Sequence, residues 1–215
     1  MKKIHFEILN KNQAQIFPRL AFLSKKGFYL AGGTGLALHL GHRTSVDFDF
    51  YIRKHFQAPD LYQEIEAVFK EKAQKTAQAK DTLFCTVNKA DLSFFWYEYP
   101  LIKKPMRIKG VAVSSIEDIA AMKLIAISQR PVKRDYVDIF FLLKAFSIEK
   151  MFSFVQKKYP NFNQYFSLRA LTYFDDVKEK RGRQVKVFDK NFSWPKAKEE
   201  ILKKVRKYQL EMISS

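Results

Sequence analysis

Residues 30–52 read LAGGTGLALHLGHRTSVDFDFYI, and this stretch decides the fold. It begins at the end of a short apolar strand, FYLAGG, whose glycines Gly32 and Gly33 lead into a helix starting near Thr34, with Leu36 and Leu40 on one face. Val46, Phe48, Phe50 and Ile52 then alternate with Asp47, Asp49 and Tyr51, the period of two that marks a strand with one apolar face. Asp47 and Asp49 therefore point the same way. Carboxylates so placed repel each other unless a cation sits between them, and paired hard oxygens suit Mg²⁺. An alternating strand with a solvent-facing polar side produces the same D-x-D pattern, so the residues alone leave both readings open. The glycine turn also has two readings. It brings backbone N–H groups and a helix N-terminus within reach of phosphate oxygens, or it is an ordinary strand-to-helix turn. Its spacing matches neither the P-loop nor the dinucleotide-binding pattern.

Periodicity organises the flanking chain. Residues 11–26 place Ile16, Leu20 and Leu23 on one helical face, with Pro18 disturbing the early turns. Residues 60–73 form a second helix through Leu61, Ile65, Val68 and Phe69, with Asp60 as its N-cap. TLFCTVN (82–88) and DLSFFWYEY (91–99) are β-rich runs joined by a tight NKA connection, and PMRIKGVAV (105–113) continues the sheet. From Ser115 the period becomes helical, with Ser115 and Asp118 spaced like a capping box. The expected class is α+β, with a small mixed sheet in a core of residues 1–112 and a helical part in residues 113–215.

Bulk composition narrows the function classes. The 215 residues include 21 Phe, 10 Tyr and 2 Trp but only 7 Gly and 7 Pro, which excludes disordered and collagen-like chains. No apolar run reaches the ~20 residues of a membrane span, and no apolar run follows the opening lysines as a secretory signal requires. The single cysteine, Cys85, excludes internal disulfides and suits a reducing cytoplasm. Against 22 Asp and Glu stand 39 Lys and Arg, a net charge of +17 that makes polyanions the expected partners. Clusters at Lys103, Lys104, Arg107 and Lys109 and at 178–190 are either a cradle for an RNA backbone or solvated faces. Phe94, Phe95, Trp96 and Tyr97 are read as core before base-stacking residues, and His39 and His42 have no zinc-ligand pattern.

Taken together, Gly32, Gly33, Thr34, Arg43, Ser45, Asp47 and Asp49 resemble the first motif of the nucleotidyltransferase superfamily typified by DNA polymerase beta. Within it, the stretch is most similar to the AbiEii/AbiGii toxin family, and the likeness extends to Lys123 in DIAAMKLIA, to Arg134, Asp135 and Asp138, and to ALTYFDD at 170–176. The resemblance implies two-metal chemistry, with Asp47 and Asp49 holding Mg²⁺ and the 32–34 turn gripping the phosphates of a nucleoside triphosphate. It implies a third catalytic carboxylate from a neighbouring strand, for which Asp91 is the candidate and Glu98 the fallback. Arg43 either neutralises phosphate or braces Asp47. The resemblance implies Ser45, Lys123 and Asp138 as nucleotide contacts and Lys123 also as a catalytic residue, although a lysine in such a helix also snorkels and an R-D-x-x-D set also forms exposed salt bridges. The resulting expectation is a cytoplasmic Mg²⁺-dependent enzyme moving a nucleotide to an RNA, tRNA included, or to a protein hydroxyl, as the toxin of a type IV toxin–antitoxin or phage-defence pair with an antitoxin partner. A nucleotide- or RNA-binding module of the same fold without turnover is the alternative.

Overall fold

The structure, a computed structural model, describes residues 3–177 and 185–214. The chain divides into two compact units, Met1–Ser115 and Ile116–Ser215.

The first unit is a mixed seven-stranded sheet with helices. Short helices α1 (Lys11–Ile16) and α2 (Ala21–Lys25) replace the single expected lead-in helix, because Phe17–Leu20, which contains Pro18, tightens into a 3-10 turn between them. Strand β1 (Tyr29–Leu30) is followed at once by α3 (Gly32–Leu40), and β2 (Asp47–Ile52) by α4 (Ala58–Phe69). Three strands follow: β3 (Ala73–Ala79), β4 (Thr82–Val87) and β5 (Ala90–Trp96). A hairpin of β6 (Met106–Ile108) and β7 (Val111–Val113) completes the sheet in the order β3-β4-β5-β2-β1-β7-β6.

Several details differ from the sequence reading. Helix α3 starts at Gly32 instead of Thr34, and α4 is entered from Gln57, which leaves Asp60 inside its first turn. Val46 precedes β2 and is exposed, so the apolar row begins at Phe48. Strand β3 was not expected, since AQKTAQA lacks apolar alternation and is exposed from Gln74 onward. The β4–β5 hairpin closes through Asn88 and Lys89, both at positive φ (50° and 64°), the pairing of backbone angles that matches the right-handed twist of its strands.

The alternation in β2 divides the sheet into a buried face and a polar one. Phe48, Phe50 and Ile52 are buried, and Phe50 stacks on Phe94 of β5 at 5.4 Å between ring centres. Phe17 and Phe28 pack onto the same layer against Phe48 and Phe94. Burying each of these rings contributes about 1.5–3 kcal/mol to the stability of this unit.

The second unit is helical: α5 (Ile116–Gln129), α6 (Lys133–Ala145), α7 (Ile148–Lys158), α8 (Gln164–Thr172) and α9 (Trp194–Ile213). Part of the 178–190 basic cluster, residues 178–184, lies outside the described residues. No helix among the described residues is long and apolar enough to cross a membrane.

Cys85 lies on the buried face of β4, and burial, with a smaller contribution from Asp91, pushes its thiol up to about 12. The native protein is therefore expected to resist a thiol-specific reagent at pH 8 and to react once unfolded, as measured by adduct mass.

Candidate active site

Local chain geometry builds one polar site in the first unit. Ala31 N–H donates to the Asp49 carbonyl at 3.0 Å, fastening the start of α3 to β2. Gly32 takes φ +60°, and a Cβ there would lie 2.5 Å from Asp49 Oδ2 and 3.2 Å from Asp49 Cβ. The backbone thus approaches the carboxylate as closely as only glycine allows. A Cβ on Gly33 would meet the Arg43 guanidinium at 2.5 Å, so both glycines are required by close approach. The N-cap residue Ala31 has no side-chain acceptor, and the first turn of α3 presents backbone N–H groups and the positive end of the helix dipole.

The residues between α3 and β2 hold this turn. Thr34, 1% exposed, sets its hydroxyl 2.8 Å from Ser45 Oγ and against the Asp47 carbonyl. Arg43 is equally buried and donates from Nη1 to the Thr44 carbonyl at 2.8 Å. A guanidinium so enclosed packs against the turn at Gly33.

Register places the carboxylates. Strands β2 and β5 run parallel with Asp47 opposite Asp91 and Asp49 opposite Ser93, so Asp47, Asp49 and Asp91 share one face. Asp47 and Asp49 are half-buried and Asp91 is exposed. Glu98 lies beyond the end of β5, seven residues from Asp91, and its carbonyl accepts from Arg53 Nε at 3.3 Å. Among the described residues no group of three or more His, Cys, Asp and Glu is gathered closely enough to hold a metal ion. The aromatic run of β5 divides between faces: Phe94 is in the core, Phe95 is half-buried on the carboxylate face, and Trp96 stacks on His55 at 4.6 Å.

The other expected residues form a cluster within the second unit. Lys123 Nζ lies 2.5 Å from Asp135 and 2.6 Å from Asp138, and all three side chains are at least 92% buried. Asp135 and Asp138 thus face inward on α6 instead of forming an exposed set. A second buried pair joins Lys158 to Asp118 at 2.8 Å. The sequence reading missed this pair, and the only signal for it was a lysine and an aspartate on helices of strongly apolar period.

The comparisons with known proteins bear on the family and the fold. The family described as "Nucleotidyl transferase AbiEii toxin, Type IV TA system" matches residues 19–209. Uncharacterized protein aq_aa25 of Aquifex aeolicus (strain VF5) is 32% identical over 207 residues, covering 93% of this chain and 97% of that one. Among solved structures, a candidate nucleotidyltransferase from H. pylori superposes with a TM-score of 0.57 at 16% identity, over 95% of this chain and 99% of that one. MenT4 (Rv2826c), a nucleotidyltransferase toxin from Mycobacterium tuberculosis H37Rv, gives 0.52 at 13% identity over 90% and 82%. The fold is that of the polymerase beta-like nucleotidyltransferases. The chain belongs to the AbiEii toxin family, and it is a nucleotidyltransferase.

Two predictions follow from the close approaches and the buried charges. Gly32→Ala is expected to lower nucleotide incorporation by about 100-fold, since displacing the turn or Asp49 by even 1 Å misplaces the reacting groups; a label-transfer assay measures it. Lys123→Met leaves Asp135 and Asp138 without their cation and is expected to cost about 3–5 kcal/mol, read from denaturant melts.

Proposed function

We propose that this protein is a Mg²⁺-dependent toxin that transfers a nucleoside monophosphate from a nucleoside triphosphate to an RNA hydroxyl. The observation that carries the reading is the position of Asp47 and Asp49 on one sheet face with the first turn of α3 against Asp49.

The donor set fits the cation. Mg²⁺ is commonly held by one or two carboxylates, with substrate phosphates and water completing its shell, so a pair of aspartates beside a phosphate-binding turn suffices without a third protein ligand. When bound, Mg²⁺ neutralises the triphosphate and stabilises the charge that develops as the phosphoryl bond breaks. In this reading Asp47 and Asp49 hold the cation, and the N–H groups of the 32–34 turn bind the terminal phosphates. Arg43, Ser45 and Thr34 keep that turn rigid. Asp91, across from Asp47, accepts the proton of the attacking hydroxyl. That oxygen bonds to the α-phosphorus, the bond to the β-phosphate oxygen breaks, and pyrophosphate leaves.

Lys123 and Asp138 enter this reading as a buried ion pair that orders the helical unit. The ammonium is already matched by two carboxylates, which leaves little charge to offer a phosphate. The family supports a toxin role, from which we infer a cytoplasmic antitoxin partner. The net charge of +17 favours an RNA acceptor over a protein one.

Incubation with Mg²⁺, each α-labelled nucleoside triphosphate and total cell RNA tests the reading. Wild type is expected to label a discrete RNA species, with the signal lost on chelation of Mg²⁺ and reduced at least about 100-fold in Asp47→Asn. Wild type that labels neither RNA nor protein would overturn it.

A further inference from the structure

The strand register that aligns the carboxylates also places aromatic rings on the same face. Three rows cross it. Asp47, Asp91 and Thr86 form the first, Asp49, Ser93 and Phe84 the second, and Tyr51, Phe95 and Thr82 the third. Phe84 and Phe95 meet edge to face at 5.5 Å, and Phe95 packs on Tyr51 at the same distance. Phe84 is 36% exposed, although every other apolar side chain of β4 is buried in the core. Ser93, a small residue, separates this ring from Asp49 and leaves a shelf between them.

The order of the strands tells which substrate this shelf faces. The phosphate-binding turn follows β1, on one flank of Asp47 and Asp49, while Asp91 lies on β5, on the other flank. Phe84 is on β4, one strand further from the turn, two strand spacings or about 9–10 Å from the Asp49 backbone. A group bound there is therefore on the acceptor side of the carboxylates. Exposed Lys89, in the turn that leads into Asp91, adds a cation beside the path of a phosphate backbone.

We propose that Phe84, supported by Phe95, is the stacking platform for an unpaired base next to the reacting hydroxyl of a single-stranded RNA acceptor. The proposal rests on the nucleotidyltransferase reading above and specifies its acceptor. Stacking on an aromatic face contributes about tenfold or more per base and is tolerant of sequence, and a duplex end has no unpaired base to offer.

The test is fluorescence anisotropy of a labelled single-stranded RNA of about ten nucleotides, without nucleotide or metal, against full-length wild type and three variants. Phe84→Ala and Phe84→Leu are expected to weaken binding about tenfold, whereas Phe84→Tyr keeps it within about twofold. The dependence of affinity on salt stays unchanged, since no charge is removed. Thermal melts confirm that all variants fold, and KM for the nucleoside triphosphate is expected to stay at the wild-type value. Equal affinity of wild type and Phe84→Leu overturns the proposal, as does wild type that binds blunt duplex as tightly as single strand. Loss of label transfer by wild type would instead count against the enzyme reading, so the two failures are distinguishable.

Discussion

Between Gly32 and the Asp49 carboxylate there is no room for a single carbon atom, and the first unit is arranged around that constraint. Only Ala31 separates helix α3 from the two-residue strand β1, and its N–H bond to the Asp49 carbonyl holds the first turn against β2. Close approach of a backbone turn to a carboxylate is crowded, and it persists only because its surroundings over-determine it. The buried Arg43 beneath Gly33, the Thr34 hydroxyl between Ser45 and the Asp47 carbonyl, and the aromatic layer under β2 all hold the two parts in place. These contacts fix the turn and the strand relative to each other, and positioning is most of what phosphoryl transfer asks of a protein.

The helical unit treats charge differently. It buries two lysines against three aspartates, although apolar side chains of similar volume pack at least as stably in such places. Buried ion pairs penalise every arrangement of helices that separates the partners, so the pairs between α5 and α6 and between α5 and α7 select one packing of these helices. The basic excess of the chain therefore resides in side chains other than these.

Much of this was legible in the residues. The period of two in SVDFDFYI and the hairpin of 82–99 depend on local alternation, and they appeared in the structure with the expected strands paired, including Asp91 beside Asp47. Strand β3 was hidden because its pairing is carried by the backbone alone: AQKTAQA has no apolar alternation to reveal it. The start of α3 was read two residues late because glycine at positive φ in a first helical turn contradicts propensity and is explained only by the approach to Asp49. The Lys123 and Lys158 pairs join residues 12 to 40 positions apart, a distance at which periodicity carries no information.

The sheet also has two ends, and both are made unattractive to other strands. At one, β6 is three residues long, too short to template an intermolecular ladder. At the other, β3 is longer but carries Lys75 and breaks its register between Lys75 and Ala77, a bulge that bends the outer hydrogen-bonding edge. A strand so polar contributes little to the core, and its exposed face of Gln, Lys and Thr keeps the more apolar β4 from being the terminal strand. The cost of one poorly packed strand is offset by resistance to edge-to-edge aggregation while the chain is being made, which suits a protein rich enough in phenylalanine to be otherwise prone to it.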